Sequence, residues 1–361
     1  MKTISVCMIV KNEELVIGRI LKQVKAFADE IVIVDTGSSD NTKLVAKKYT
    51  DKVFDYAWDN NFANARNYSF KMATCDYIMW LDADDYITRT NIKKLKALKN
   101  NLDVDTMYMP YEITFNENNK CTFKYLRERI VKNCSKAIWN GAVHEVLSPF
   151  GKIAITDIAI KHKKVKANES ERNLNIYRQL IKSGKELNTR ELFYYANELY
   201  YNNYFDEAIY YYEKFLLKDD KFIQNAIQAK INKAKIYKHQ NNILLAKQEL
   251  FETFVYELPK SEVLCELGHI YLEEKDYIQA IYYYTLAIQK VSLNSFAFID
   301  VSCYGFIPNL QLAICYYYLK DYKTALKYNK KALKYNKNSQ IARLNQKFYE
   351  TAYLKTINQK E

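Results

Sequence analysis

The chain has 361 residues, 49% of them hydrophobic, with only 7 Gly and 4 Pro. That is too long for one typical core and too poor in turn formers for an all-β fold. The net charge of +12 comes from scattered lysines, with no block denser than Lys161-His162-Lys163-Lys164. A solvated basic surface is expected, and nucleic acid is not expected as a partner. The 7 cysteines form no CxxC pair or cluster, which predicts reduced thiols in a cytoplasmic protein. No run has the length of a transmembrane segment or a signal peptide.

Taken in chain order, apolar runs predict strands over Ile4–Val10, Glu30–Asp35, Lys52–Tyr56, Tyr77–Leu81 and Thr106–Tyr111. Helical spacing fills Glu14–Phe27, Asn41–Tyr49, Phe62–Ala73 and Thr90–Asn100. Alternation of this kind predicts a mostly parallel α/β sheet. Ligands of such sheets sit at the carboxyl ends of the strands. "VKNEE", "VDTGSSD" and "DADD" each follow a strand and should therefore share one crevice.

"WLDADD" ends an apolar strand in a knot of acid. Asp82 and Asp84, two apart at a strand end, should project together on one face and ask for a cation. Hard oxygen ligands suit Mg²⁺ or Mn²⁺. Alone, D-x-D reads as well as an exposed acidic loop capping the next helix. Asp35, at the end of its own strand, has the place of a carboxylate that grips a ribose or base edge. Arg66, in "NNFANARNYSF", is expected to meet a pyrophosphate or to brace Asp35.

"SVCMIVKNEE", "EIVIVDTGSSDNT", "FANARNYSF" and "DYIMWLDADD", in that order, resemble the family 2 glycosyltransferases of GT-A fold, over residues 1 to 165. The resemblance implies an α/β, Rossmann-like domain, a nucleotide-sugar donor (UDP-linked above all) and a Mg²⁺ or Mn²⁺ ion under its diphosphate. Carried over, Glu13 and Asp35 hold the nucleoside, Asp82 faces ribose and metal, and Asp84 is the principal metal ligand. Arg66 and His144 stand beside the donor. His162 reads as a further metal or phosphate contact, or as a surface histidine. "YLRERIVK" (125–132) and "IWNGAVHEVL" (138–147), placed after the strands, resemble the acceptor side of the subgroup with C-terminal tetratricopeptide repeats. Inverting transfer needs a base. Glu145 is the first choice and Asp85 the second. Glu145 reads equally well as an ion-pair partner of Arg127 or Arg129.

Past Lys164 the strands should vanish, with a linking helix over 166–188 and repeats over 189–361. "YFDEAIYYYEKFL", "DYIQAIYYYTLAI" and "DYKTALKYNKKAL" align without gaps, and "NILLAKQELFETF" is a weaker copy. Ala208, Ala246, Ala280 and Ala325 then fall 38, 34 and 45 residues apart, each copy preceded by a helix holding Ala196, Ala234, Gly268 or Ala313. Such pairs resemble the 34-residue tetratricopeptide repeat. The longest interval implies an insertion around Val291–Gly305, and 340–357 a closing helix. Most of the 33 tyrosines are then packing residues.

The whole resembles soluble bacterial peptide glycosyltransferases that modify a Cys or Ser side chain, so a Cys, Ser or Thr of a peptide held by the repeats is the expected acceptor. The alternatives are a polysaccharide or lipid-linked acceptor, or a non-catalytic repeat adaptor with a decayed sugar-nucleotide domain. A nucleotidyltransferase ranks below these, because no glycine-rich loop follows the first strand. A homodimer through the repeats is a further expectation.

Overall fold

The apolar runs become strands because each is flanked by polar turn residues, and all but the short edge strand are buried on both faces. In the computed structural model, which describes residues 1–165, 171–288 and 299–358, these are β1 (Ile4–Val10), β2 (Glu30–Asp35), β3 (Val53–Asp55) and β4 (Tyr77–Trp80). Between them run α1 (Ile17–Val24), α2 (Thr42–Ala46) and α3 (Phe62–Lys71). β1 pairs in parallel with β2 and β4, and β2 with β3. β1 is thus the point where the strand order reverses.

β5 (Asp85–Tyr86), α4 (Arg89–Leu98), β6 (Thr106–Phe115) and β7 (Cys121–Lys132) follow. After them come β8 (Trp139–Asn140), β9 (Val146–Leu147), β10 (Ile153–Ile155), β11 (Ile160–His162) and α5 (Arg172–Lys182). The sheet runs β3-β2-β1-β4-β7-β6-β11-β5, with β10 beside β6, and β8 and β9 form a separate ribbon. One face packs Ile17, Ile20, Leu21 and Val24 of α1 against Ile4, Val6 and Met8. "YLRERIVK", expected to follow a strand, is itself the inner half of β7, antiparallel to β4.

By its contacts the chain divides into two units, Met1–Ile113 with Tyr125–Glu186, and Thr114–Lys124 with Leu187–Glu361. α5 falls in the first, and residues 166–170 of the expected linking helix lie outside the described residues.

The second unit holds antiparallel helix pairs: α6 (Thr189–Tyr201) with α7 (Phe205–Leu216), and α8 (Ile223–His239) with α9 (Ile243–Glu252). Next come α10 (Ser261–Glu273) with α11 (Tyr277–Ala287), then, beyond a short β12 (Ile299–Asp300), α12 (Phe306–Tyr318) with α13 (Tyr322–Tyr335). α14 (Gln340–Asn358) follows. Each pair turns through one left-handed residue, Asn203, Asn241, Lys275 or Lys320, always five residues before the buried Ala208, Ala246, Ala280 or Ala325. Gly268 is required by close approach, since a Cβ there would stand 2.9 Å from the Tyr284 ring. Tyr271–Tyr283 and Tyr316–Tyr328 are the same stacked pair, at 5.4 and 5.5 Å, one repeat apart.

Strands do not vanish past Lys164: β12 pairs with β7 at Phe123–Lys124. The tip of the β6–β7 hairpin is bonded within this unit too, through Asn118 and Glu117 to Asn336 (2.9 and 2.6 Å). Residues 291–298 of the expected insertion lie outside the described residues.

Candidate active site

The carboxyl ends of β1, β2 and β4 meet, as their parallel pairing dictates. After β1 the chain turns through Asn12, which has a positive φ of 55°. The Asn12 N–H donates to Ser38 Oγ (2.8 Å) and its side-chain oxygen accepts from Ser39 N–H (2.7 Å). The Glu13 N–H donates to Thr42 Oγ1 (2.6 Å), so two loops far apart in sequence form one rim.

Asp35 closes this rim from below. It is buried, and its Oδ1 accepts from the N–H groups of Gly37 (3.0 Å) and Ser38 (2.8 Å). Gly37 is needed for its φ of 102°. The other oxygen, Oδ2, is buried without any partner. An orphaned acceptor of that kind costs about 1–3 kcal/mol unless a ligand supplies a donor.

The acidic knot is divided by its surroundings. β4 ends at Trp80, and Asp82–Asp84 form a turn, with Asp85 N–H on Asp82 O (3.1 Å). The same-face argument for a continuing strand therefore does not hold. Asp82 turns to Arg66 (2.9 Å), while Asp84 turns to His162 Nδ1 (3.3 Å). The expectation that Arg66 braces Asp35 is replaced by Arg66 bracing Asp82. Two arginines, Arg66 and then Arg129, outweigh burial and hold the Asp82 carboxyl down at about 2.

Asp85 is fully buried and is corrected from candidate base to support. It accepts from Arg129 Nη1 (3.1 Å), Tyr111 Oη (2.9 Å) and the Asp82 N–H (3.0 Å). Arg129 in turn lies 3.7 Å above the Trp80 ring. β11 brings in His162, because Asp85 and His162 are directly paired across β5 and β11. Burial would lower the His162 pKa, but hydrogen bonds to Asp84 and Asp85 raise it to about 10, so a metal ion that takes this imidazole must displace its proton.

Among the described residues, Asp84, Asp85 and His162 form the one set of side chains able to surround a metal ion, with donor atoms within 4.8 Å. Asp85 is already committed to Arg129, so Asp84 and His162 are the ligands on offer. A partly exposed carboxylate and imidazole fit Mn²⁺ or Mg²⁺ that keeps open positions for phosphate oxygens. Asp82, expected in this set, is directed to Arg66 instead.

Glu145 stands on the loop between β8 and β9. Gly141 (φ 97°) and His144 (φ 51°) shape that loop, and Ala142 O pins it to Phe62 N–H (2.8 Å) at the start of α3. The expected ion pair with Arg127 or Arg129 is corrected: Glu145 pairs with Arg66 Nε at 2.6 Å. Arg127 pairs with Glu128 and Arg129 with Asp85. Sequence reasoning missed Tyr111, and Arg19, whose guanidinium holds the Asp84 carbonyl at 3.0 Å. No motif marks them, since each acts through backbone or buried contacts.

Residues 5–149 match the family model "Glycosyl transferase family 2". The chain is 27% identical over 235 residues to the SPbeta prophage-derived glycosyltransferase SunS of Bacillus subtilis (strain 168), covering 61% of this chain and 54% of that one. It is 40% identical over 85 residues to a TPR repeat-containing protein of Synechococcus elongatus, 24% of this chain and 21% of that one. The chain thus spans about half or less of the length of these relatives. Among solved structures, S. aureus TarS aligns over 77% of this chain and 54% of that one, at 15% identity and a TM-score of 0.37.

Proposed function

We propose that this chain, whose residues 5–149 form a glycosyltransferase family 2 domain, transfers a sugar from a UDP-sugar to a Cys, Ser or Thr side chain of a peptide held by its repeats. The observation that carries the donor half is Asp35: one oxygen tied to the Gly37–Ser38 turn, the other buried and unpaired beside the Asn12–Ser38 rim. That oxygen suits an N–H or O–H of a uridine, with Glu13 on the same rim.

Asp84 and His162 would hold Mg²⁺ or Mn²⁺, which supplies charge to offset that of the departing diphosphate. The residues of the chain do the rest. Asp85, Arg129 and Tyr111 fix the turn that aims Asp84. In the inverting reaction the acceptor oxygen or sulfur forms the new bond to the anomeric carbon. The bond from that carbon to the diphosphate oxygen breaks, and the electron pair leaves with the nucleoside diphosphate. Glu145 takes the proton of a hydroxyl acceptor, with His144 beside it on the same loop. A thiol, with an ordinary pKa of about 8.5, is partly ionised already and leans less on a base.

The acceptor half rests on the repeats, which bury their small residues and keep Tyr201, Tyr210, Tyr282 and Tyr318 exposed for contact. Among the described residues no helix is long and apolar enough to cross a membrane. Pairing of two copies through the repeats belongs to the same reading. A panel of UDP- and GDP-sugars with Mn²⁺ or Mg²⁺, read by nucleotide release, tests the donor. UDP release that needs the ion and is lost in Asp35→Asn supports it. Equal hydrolysis by that variant rejects the assignment.

A further inference from the structure

Arg66 lies between the donor and acceptor halves of this chemistry. Its Nη2 donates to Asp82 (2.9 Å) on the turn after β4, and its Nε to Glu145 (2.6 Å) on the β8–β9 loop. The Trp80 and Trp139 rings, edge to face with centroids 5.1 Å apart, lie together on one side of the guanidinium, 4.8 and 4.9 Å from Cζ. The side chain is only 9% exposed. A buried planar fork whose Nε and Nη2 are held by different carboxylates cannot turn toward one without breaking its bond to the other. The neighbouring Asn67 holds β8 by two bonds to the Trp139 backbone, at 2.8 and 3.0 Å. α3 therefore carries both the fork and the start of the loop that Glu145 ends.

We propose that Arg66 is a positioning residue: it sets the Glu145 carboxylate by reference to the donor-side turn at Asp82, and is not itself a ligand of the diphosphate. This rests on the transferase reading above, with Glu145 on the acceptor side. Its consequence is that base and donor shelf keep one fixed separation whichever acceptor enters. The sequence suggested a phosphate contact for Arg66; two of its five N–H groups, on Nε and Nη2, go to carboxylates.

A double-mutant cycle on the full chain tests this, using wild type, R66Q, R66K, E145Q and R66Q/E145Q with a UDP-sugar and a Ser-containing acceptor peptide. Acceptor turnover, donor KM and thermal midpoint are read for each. If Arg66 acts through Glu145, R66Q and E145Q each lower kcat by about 10²-fold or more, and the double variant falls no more than about threefold further. Donor KM stays within about threefold. R66K keeps the charge but not the fork, so it does not restore the rate. Should R66Q unfold, R66K takes its place in the same cycle. Independent, multiplying losses overturn the proposal, as does a tenfold rise in donor KM at unchanged kcat. A wild type that turns over no sugar nucleotide overturns the transferase reading, and this inference with it.

Discussion

The two units bury polar groups for different ends. In the repeats such groups close on near neighbours: Asn197, Tyr212 and Asn232 bond one another at 2.6–3.1 Å, and Lys230 meets Glu249 at 3.1 Å. In the α/β unit they reach far along the chain, as Arg66 does to Glu145 and Tyr111 to His162. Buried atoms without a hydrogen-bond partner occur in both units, among them Asn309 Oδ1 and Asn329 Oδ1 in the repeats and Asp35 Oδ2 and Arg129 Nη2 at the site. The first pattern stabilises a periodic stack. The second gives up local satisfaction to hold a shaped cleft, as functional sites do.

The sharpest way to test that division is to remove the proposed metal ligand. Asp84→Ala should lower transfer by about 4 kcal/mol, or about a thousandfold, and excess chelator should do the same to the wild type. The thermal midpoint should barely move. Full activity in chelator would break the comparison at its functional end.

Next in size, Glu145→Gln should cost about 10²–10⁴-fold in turnover on a Ser peptide and much less on a matched Cys peptide. On the Cys peptide the rate should climb as pH approaches the thiol pKa. An equal loss on both acceptors would remove Glu145 as the base.

In the repeats the sign of the effect should reverse. Gly268→Val forces a side chain into the Tyr284 ring and should cost about 1–3 kcal/mol of stability. Donor hydrolysis per folded molecule should stay unchanged. A loss of hydrolysis without a loss of stability would erase the distinction between the units.

The smallest effect sharpens the comparison from the other side, because one half-buried carboxylate of the α/β unit is structural. Glu30 binds Lys52, Ser5 and Thr74, and these outweigh burial and hold its carboxyl down at about 2, against 4.5 ordinarily. A depressed folded pKa gives stability that is present above about pH 4.5 and lost as pH falls toward about 2. Glu30→Gln should flatten the acid limb of the stability curve in that window, by on the order of 1 kcal/mol. An unchanged limb would show that the network contributes nothing.

Much of this was legible in the sequence, for reasons that differ by region. β1, β2 and β4 announce themselves because both faces are buried, and the repeats because Ala208, Ala246, Ala280 and Ala325 recur. β7 was hidden by its charged stretch Arg127-Glu128-Arg129. Arg129 is buried there only because Asp85 neutralises it and Trp80 and Tyr111 flank it. That Asp84 belongs to an acidic cluster was legible, but its partner set was not. Whether Asp82 shares that set depends on the chain leaving the strand at Trp80, and nothing in "LDADD" encodes that break. The Arg66–Glu145 pair joins residues 79 apart, beyond the reach of any local pattern.

The β6–β7 hairpin carries a lesson for engineering. The chain leaves the first unit after Ile113, returns at Tyr125 and leaves again after Glu186. Cutting the gene near codon 165 would not yield two transplantable modules. The catalytic fragment would keep a ribbon stripped of β12 and Asn336, and the repeat fragment would lack the strand edge on which β12 lies. Recombination that respects the fold must move the ribbon with the repeats, by grafting residues 114–124 along with 187–361. In that sense the hairpin is inherited by both parts at once, and a chimera with relatives must match it to the new partner.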